Sequence, residues 1–300
     1  MKFNKIVAID PCGLTGETVA EIKQLAKTDY IEYTDCPENN EEIIRRISDA
    51  DCVLVSWRTP IDAAVIRSCP SVKYIGMCCS LYDEQSANVD IAEARKNGIV
   101  VKGVRDYGDE GTVEFIFAQL ICLMKGMGEH QWKEEPTELT GKTIGIIGMG
   151  VLGKMITHTA LCFGMRVIYN SRTRKPEVEN ENVTYLPLSN LLSEADIVTV
   201  HVPRNAITLT DEHFSLMKKD GIFINTSLGQ PFEKEALLKW IEKGSNNYAI
   251  FDASGYSNLK DEFEKYNRIL LTHKSSGFTH EAKIRLTNKV YQNMLSFLES

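Results

Sequence analysis

Residues 142–154 read KTIGIIGMGVLGK. An apolar run, Ile144 to Ile147, enters a turn with glycines at 148, 150 and 153, and a helix-compatible stretch from Val151 to Phe163 follows. A strand, a glycine-rich turn and a helix in that order are the context that gives G-x-G-x-x-G its meaning. Gly148 permits the tight turn, Gly150 lets the backbone approach a pyrophosphate, and Gly153 lets the helix lie close on the strand. The helix start, at Val151 and Leu152, offers free N–H groups and a positive dipole end to phosphate oxygens. A bound dinucleotide is therefore expected.

The next strand, Met165 to Tyr169, runs into Asn170, Ser171, Arg172, Thr173, Arg174 and Lys175. In this arrangement an acid about 20 residues past the glycines holds the ribose 2′-hydroxyl of NAD. No acid occurs here until Glu177. Three cations and two hydroxyls (Ser171 and Thr173) stand where a carboxylate would repel a 2′-phosphate, and arginine suits bidentate phosphate contact. NADP is the expected cofactor, NADPH being preferred over NADH.

Three hundred residues, 43% of them hydrophobic, fit two domains with sizeable cores. A net charge of −7 argues against nucleic acid or an anionic membrane as partner. The start, MKFNKIVAID, lacks the apolar core of a signal peptide, and no apolar run approaches transmembrane length. Eight scattered cysteines without metal spacing fit a reducing cytoplasm and no bound metal.

Apolar β-rich runs alternate with amphipathic stretches along the chain. Strands are expected at Lys5 to Ile9, Ile31 to Tyr33, Cys52 to Val55, Tyr74 to Met77 and Ile99 to Val101, with helices such as Glu41 to Ser48 and Asp90 to Lys96 between them. A second series starts at Ile144 and continues with Val167 to Tyr169, Ile197 to His201, Ile222 to Asn225, Tyr248 to Phe251 and Ile269 to Thr272. Such βα alternation predicts two doubly wound parallel-sheet α/β domains. The pattern breaks at Tyr107 to Gly111, a helix from Thr112 to Lys125 crosses into the second series, and residues 128–141 read as a loop. The tail, Glu281 to Leu298, is helical and is expected to return to the first domain. The domains are thus 1–108 with 280–300, and 109–279.

Several motifs occur in a fixed order: Glu138-Leu139-Thr140-Gly141-Lys142-Thr143; Ala195-Asp196-Ile197-Val198 followed by His201-Val202-Pro203; Leu216-Met217-Lys218; Gly221-Ile222-Phe223-Ile224-Asn225-Thr226; and Leu271-Thr272-His273. In this the chain resembles the D-isomer-specific 2-hydroxyacid dehydrogenase family over nearly its whole length, most strongly from Glu138 to Ala282. The resemblance implies a flavodoxin-like substrate domain beside a Rossmann NAD(P)-binding domain. It implies hydride exchange between nicotinamide and the carbinol carbon of a small 2-hydroxy acid, with His273 as acid/base. It implies that His201, Val202 and Pro203 line the adenosine–ribose side. Thr226, Ser227, Leu228, Asp252 and Gly277 would lie along the cofactor.

The chain also departs from the family. The family's N-T-A/S-R-G, whose arginine clamps the substrate carboxylate, is Asn225-Thr226-Ser227-Leu228-Gly229 here. The family's glutamate, which hydrogen-bonds the histidine, falls near Ser257, while Glu262 and Glu264 are expected in a short turn leading to Asn267. The glycine-rich turn of the first domain is replaced by Met77-Cys78-Cys79-Ser80-Leu81-Tyr82. Lys274, His280, Arg58, Arg105 and Tyr107 are candidate replacements for the lost clamp; Arg58, Cys79, Ser80 and Lys274 are the substrate candidates. The loop before the fingerprint is shorter than usual in the family, which trims the arm that family dimers use, although Trp132 is present. A homodimer remains expected by base rate. Three functions stay open: an NADPH-dependent reductase of a small carbonyl compound, a non-catalytic dinucleotide sensor or interaction module, and a reductase of another class such as C=N or a pterin-like ring.

Overall fold

Five of the apolar runs are buried on both faces along their whole length, the pattern of strands inside a parallel sheet covered by helices. The computed structural model describes residues 1–204 and 206–300. It divides into two units, Met1–Tyr107 with His280–Ser300, and Gly108–Thr279.

The first unit holds β1 (Phe3–Ala8), β2 (Ala26–Glu32), β3 (Cys52–Val55), β4 (Tyr74–Ser80) and β5 (Val100–Val104). All pair in parallel in the order β2-β1-β3-β4-β5, the flavodoxin-like order. The tail helix His280–Leu298 covers one face, burying Leu286, Val290, Met294 and Leu298 in the cluster that contains Phe3, Leu54 and Tyr74. Strand β2 starts five residues before the expected Ile31. It is an edge strand with Lys27, Thr28 and Asp29 exposed, so half of it carries no apolar signal.

The second unit holds β6 (Thr143–Ile147), β7 (Arg166–Asn170), β8 (Val183–Tyr185), β9 (Ile197–Val200), β10 (Ile222–Asn225), β11 (Tyr248–Phe251) and β12 (Ile269–Leu271). The order is β12-β11-β10-β9-β6-β7-β8, again all parallel. Counted from β6 this is the Rossmann order, reversing between β6 and β9, and ligands bind at such a switch point beyond the strands' C-terminal ends. Strand β8 is not anticipated from sequence: it has three residues and pairs only with β7.

The helix expected from Thr112 begins at Asp109. Gly108 and Gly111 are therefore not breakers. A Cβ on Gly108 would stand 2.2 Å from the Gly277 carbonyl oxygen, and one on Gly111 would stand 2.8 Å from that of Ser276. These glycines let the helix start press against the end of the same unit. Residues 128–141 form no helix or strand, yet they are anchored: Trp132 is buried and its Nε1–H donates to the Asp220 carbonyl at 2.8 Å. Among the described residues no helix is long and apolar enough to cross a membrane, and no group of His, Cys, Asp and Glu could hold a metal ion.

Gly108→Ala should lower stability by about 1–3 kcal/mol, because the obstructing atom is backbone and cannot swing aside. Urea denaturation checks this; an unchanged midpoint would mean that the two segments can separate without cost.

Candidate functional site

The turn after β6 is shaped by close backbone contact. Gly148 has φ +106°, and a Cβ there would lie 2.0 Å from the His201 carbonyl oxygen. A Cβ on Gly153 would lie 2.2 Å from the Gly148 oxygen, which is how the helix Val151–Cys162 approaches β6. A Cβ on Gly150 would meet nothing within 4 Å. Gly148 and Gly153 thus serve packing, and Gly150 faces open space at the start of a helix without a side-chain cap. That is the arrangement a pyrophosphate needs.

In the turn after β7 the cations divide. Arg174 is committed: its Nε and Nη2 donate to the two oxygens of Glu179 at 2.8 and 2.6 Å, and its guanidinium lies over Tyr185. The Tyr169 hydroxyl also donates to Glu179 at 2.8 Å, and itself accepts from the Lys175 N–H at 2.7 Å. The Arg174 guanidinium holds the Glu179 carboxyl down at about 2. Ser171 Oγ donates to the Thr173 carbonyl at 2.6 Å, tightening the turn between them. Arg172 is exposed and has no hydrogen-bond or ion-pair partner among the described residues.

The C-terminal ends of β9, β10 and β11 are stitched together. Ser227 Oγ donates to the Val200 carbonyl at 2.8 Å and accepts from the Val202 N–H at 3.2 Å. The Asn225 side chain donates to the Gly255 carbonyl at 2.9 Å. Asp252, 1% exposed, accepts from Gly255 N–H, Ser276 N–H and Ser276 Oγ–H at 2.7–2.8 Å. Burial raises its pKa although these three donors pull the other way. Two polar atoms beside this seam are closed to solvent and have no hydrogen-bond partner among the described residues: Thr226 Oγ1 and His201 Nδ1. The other His201 nitrogen lies 2.7 Å from Thr199 Oγ1. Burial pushes the His201 pKa from 6.5 to about 3, so its ring is neutral. Unpaired buried groups are costly. Their position beside an open glycine turn fits a nicotinamide dinucleotide, whose amide and hydroxyls would satisfy them.

His273 follows β12, where the chain is tied to the loop after β11. The Ala253 N–H donates to the Lys274 carbonyl at 3.2 Å, and Ser254 and Ser275 share a hydrogen bond of 2.7 Å. Gly277 lies against Gly108. Both His273 and Lys274 are exposed. Ser257, where the resemblance places the glutamate, carries no carboxylate, but Glu264, closing the helix Lys260–Phe263, places Oε1 4.0 Å from His273 Nε2. Sequence spacing carries no signal for this pairing, because a one-turn helix folds back to make it.

In the first unit, Asp10 is fully buried at the end of β1. It accepts from Ser56 N–H, Ser56 Oγ–H and Thr59 Oγ1–H at 2.6–2.8 Å. The turn so held exposes Trp57 and Arg58, with the guanidinium over the indole ring. Cys79 and Ser80 close β4; Cys79 is buried in the core and Ser80 half-buried. Arg105 is engaged, donating to the Leu81 and Tyr82 carbonyls at 2.6 Å.

A dinucleotide-binding α/β protein with its polar groups gathered at the strand ends is thus defined by fold and site together. Residues 117–275 match the NAD-binding domain of the D-isomer specific 2-hydroxyacid dehydrogenases. The chain is 30% identical over 283 residues to a glyoxylate reductase of Korarchaeum cryptofilum, covering 88% of this chain and 84% of that one. It is 29% identical to a hydroxypyruvate reductase of Blautia hydrogenotrophica, with 86% and 85% covered. Among solved structures it is similar to an acyclic imino acid reductase in complex with NADPH and D-Arg, at TM-score 0.81 and 26% identity over 98% of this chain and 97% of that one. The chain belongs to the D-isomer-specific 2-hydroxyacid dehydrogenase family, and is an NAD(P)H-dependent oxidoreductase of the CH–OH/C=O class.

The neutral His201 has a measurable consequence. Its folded-state pKa lies below 6.5, so between pH 6.5 and about 3 the unfolded chain binds the extra proton. Stability contributed by the neutral ring is present above pH 6.5 and is lost as pH falls through that window. In His201→Gln the urea midpoint should fall less steeply between pH 6.5 and 4 than in the parent. Parallel pH profiles would mean that the ring takes up its proton alike in the folded and unfolded chain.

Proposed function

We propose that this protein uses NADPH to reduce small 2-oxo acids of the glyoxylate and hydroxypyruvate kind, with His273 as the proton donor. The observation that carries the reading is the pairing of His273 with Glu264 at the C-terminal edge of the seven-stranded sheet. The relatives at about 30% identity that reduce glyoxylate support the substrate class. When bound, the reduced nicotinamide supplies a hydride to the carbonyl carbon. The remaining demands fall on the chain. As the hydride arrives, the carbonyl π pair moves onto oxygen, which must receive a proton and meet fixed donors. His273 in its protonated form gives that proton, and Glu264 holds the ring in place. Gly150, Val151 and Leu152 hold the pyrophosphate, while Thr226 and His201 satisfy the cofactor with the atoms that lack protein partners.

NADPH preference rests on Arg172, the arginine of the basic turn without a partner among the described residues. Arg174 shapes that turn through Glu179. On the first unit Arg58 and Ser80 are the substrate-side candidates, with Lys274 on the second. We also propose a homodimer in the cytoplasm. Symmetric assembly is common among soluble enzymes, and three exposed free thiols (Cys36, Cys122 and Cys162) suit a reducing compartment.

A second reading is supported by the likeness to the imino acid reductase: the substrate's C=N, rather than C=O, receives the hydride. NADPH consumption with glyoxylate, measured with and without methylamine, separates the two. Turnover only with the amine favours the imine.

Arg172→Ala should weaken NADPH about ten- to hundredfold and leave NADH nearly unchanged, as measured by cofactor fluorescence titration. Equal losses for both cofactors would remove the 2′-phosphate assignment. His273→Ala should lower kcat about 10²- to 10⁴-fold with cofactor affinity kept. Undiminished turnover would place the acid elsewhere.

A further inference from the structure

A 2-oxo acid or 2-imino acid is an anion, and a reductase of either needs a fixed cation for the carboxylate. Leu228, 36% exposed in the turn after β10, cannot supply it. The adjacent turn, after β9, carries Arg204, and three observations tie it to the same spot. Ser227 bridges Val200 and Val202, so the two turns move as one. Gly229 has φ +99°, and a Cβ built on it would stand 3.2 Å from Arg204 Cγ and 3.8 Å from Arg204 Cβ, so the arginine stem lies along the turn containing Leu228. Arg204 is exposed, and among the described residues its guanidinium has no hydrogen-bond or ion-pair partner. Of the two arginines in the turn after β7, Arg174 is bound to Glu179 and Arg172 is the one proposed for the 2′-phosphate. Lys274 lies beyond β12, at the far edge of the sheet, and offers a point charge rather than a planar fork.

We infer that Arg204 binds the substrate carboxylate, supplying from the turn after β9 the cation that position 228 lacks. Its fork can donate to both carboxylate oxygens. The neutral His201 three residues earlier adds no competing charge, and Thr226 Oγ1 is an unpaired polar atom next to the same turn. Glycine at 229 is required twice, by its φ and by the stem that lies against it. The inference rests on the reductase proposal for its substrate class, and it explains how a chain with leucine at 228 handles an anionic substrate.

The test uses oxamate, an unreactive amide analogue of a 2-oxo acid, titrated into the protein saturated with NADPH and followed by calorimetry. The expected results are binding to the parent, at least tenfold weaker binding to Arg204→Ala, an intermediate loss in Arg204→Lys, and recovery in Arg204→Ala/Leu228→Arg, where the guanidinium returns by the neighbouring turn. NADPH affinity should be the same in the parent, Arg204→Ala and Arg204→Lys. Unchanged oxamate affinity in Arg204→Ala overturns the inference, as does absence of binding to the parent. A parallel loss of NADPH affinity also overturns it, since Arg204 would then serve the cofactor. Oxamate binding that depends on Arg204, in a protein that turns over neither 2-oxo nor 2-imino acids, would sink the reductase reading and leave the carboxylate site standing.

Discussion

The site is organised around one close contact, the Gly148 backbone against the carbonyl of His201. Nothing larger than hydrogen fits between them. That contact fixes the turn after β6 relative to the turn after β9, on either side of the point where strand order reverses. From there the constraint spreads by hydrogen bonds. The β9 turn is joined to β10 through Ser227, β10 to the loop after β11 through Asn225, and that loop to residues after β12 through Asp252 and Ser276. Each tie is an ordinary hydrogen bond of modest net worth. Together they hold five strand ends in one row, bringing side chains from distant stretches of sequence side by side.

The two charged features of the row are handled differently. At the basic turn, one arginine is spent on structure, held by a carboxylate and a tyrosine, and another is left free. At the β12 end, the groups are less enclosed: His273 and Glu264 are 60% and 45% exposed and 4.0 Å apart. A pair so open to water is weakly coupled until a ligand excludes solvent. The buried groups of the row therefore define its geometry, and the ionisable pair at its β12 end faces solvent.

Much of this was legible in the chain itself. The strand–turn–helix context identified Gly148, Gly150 and Gly153, and the alternation of apolar runs gave the parallel architecture, because buried strands announce themselves by composition. Edge strands do not: β2 and β8 gain their structure from a single neighbour, and their polar faces look like loop. Gly108 and Gly111 read as breakers because sequence cannot tell a glycine needed for a turn from one needed for close approach. The partnerships were the least legible part. Arg174 looked free until Glu179 was seen beside it, Glu264 looked remote from His273, and Arg204 drew no notice because its relation to residue 229 exists only in space.

The contact between Gly108 and Gly277 carries a further implication. These residues stand at the two ends of the second unit, and their backbones touch. The chain of the first unit is interrupted after Tyr107 and resumes at His280, so the second unit is an insertion whose two ends adjoin. A flexible loop of that length would cost closure entropy that grows with its length, whereas a folded insertion with adjoining ends bridges the gap as a short link does. Adjoining ends of this kind are the geometry in which one inserted domain can be replaced by another without lengthening the host chain.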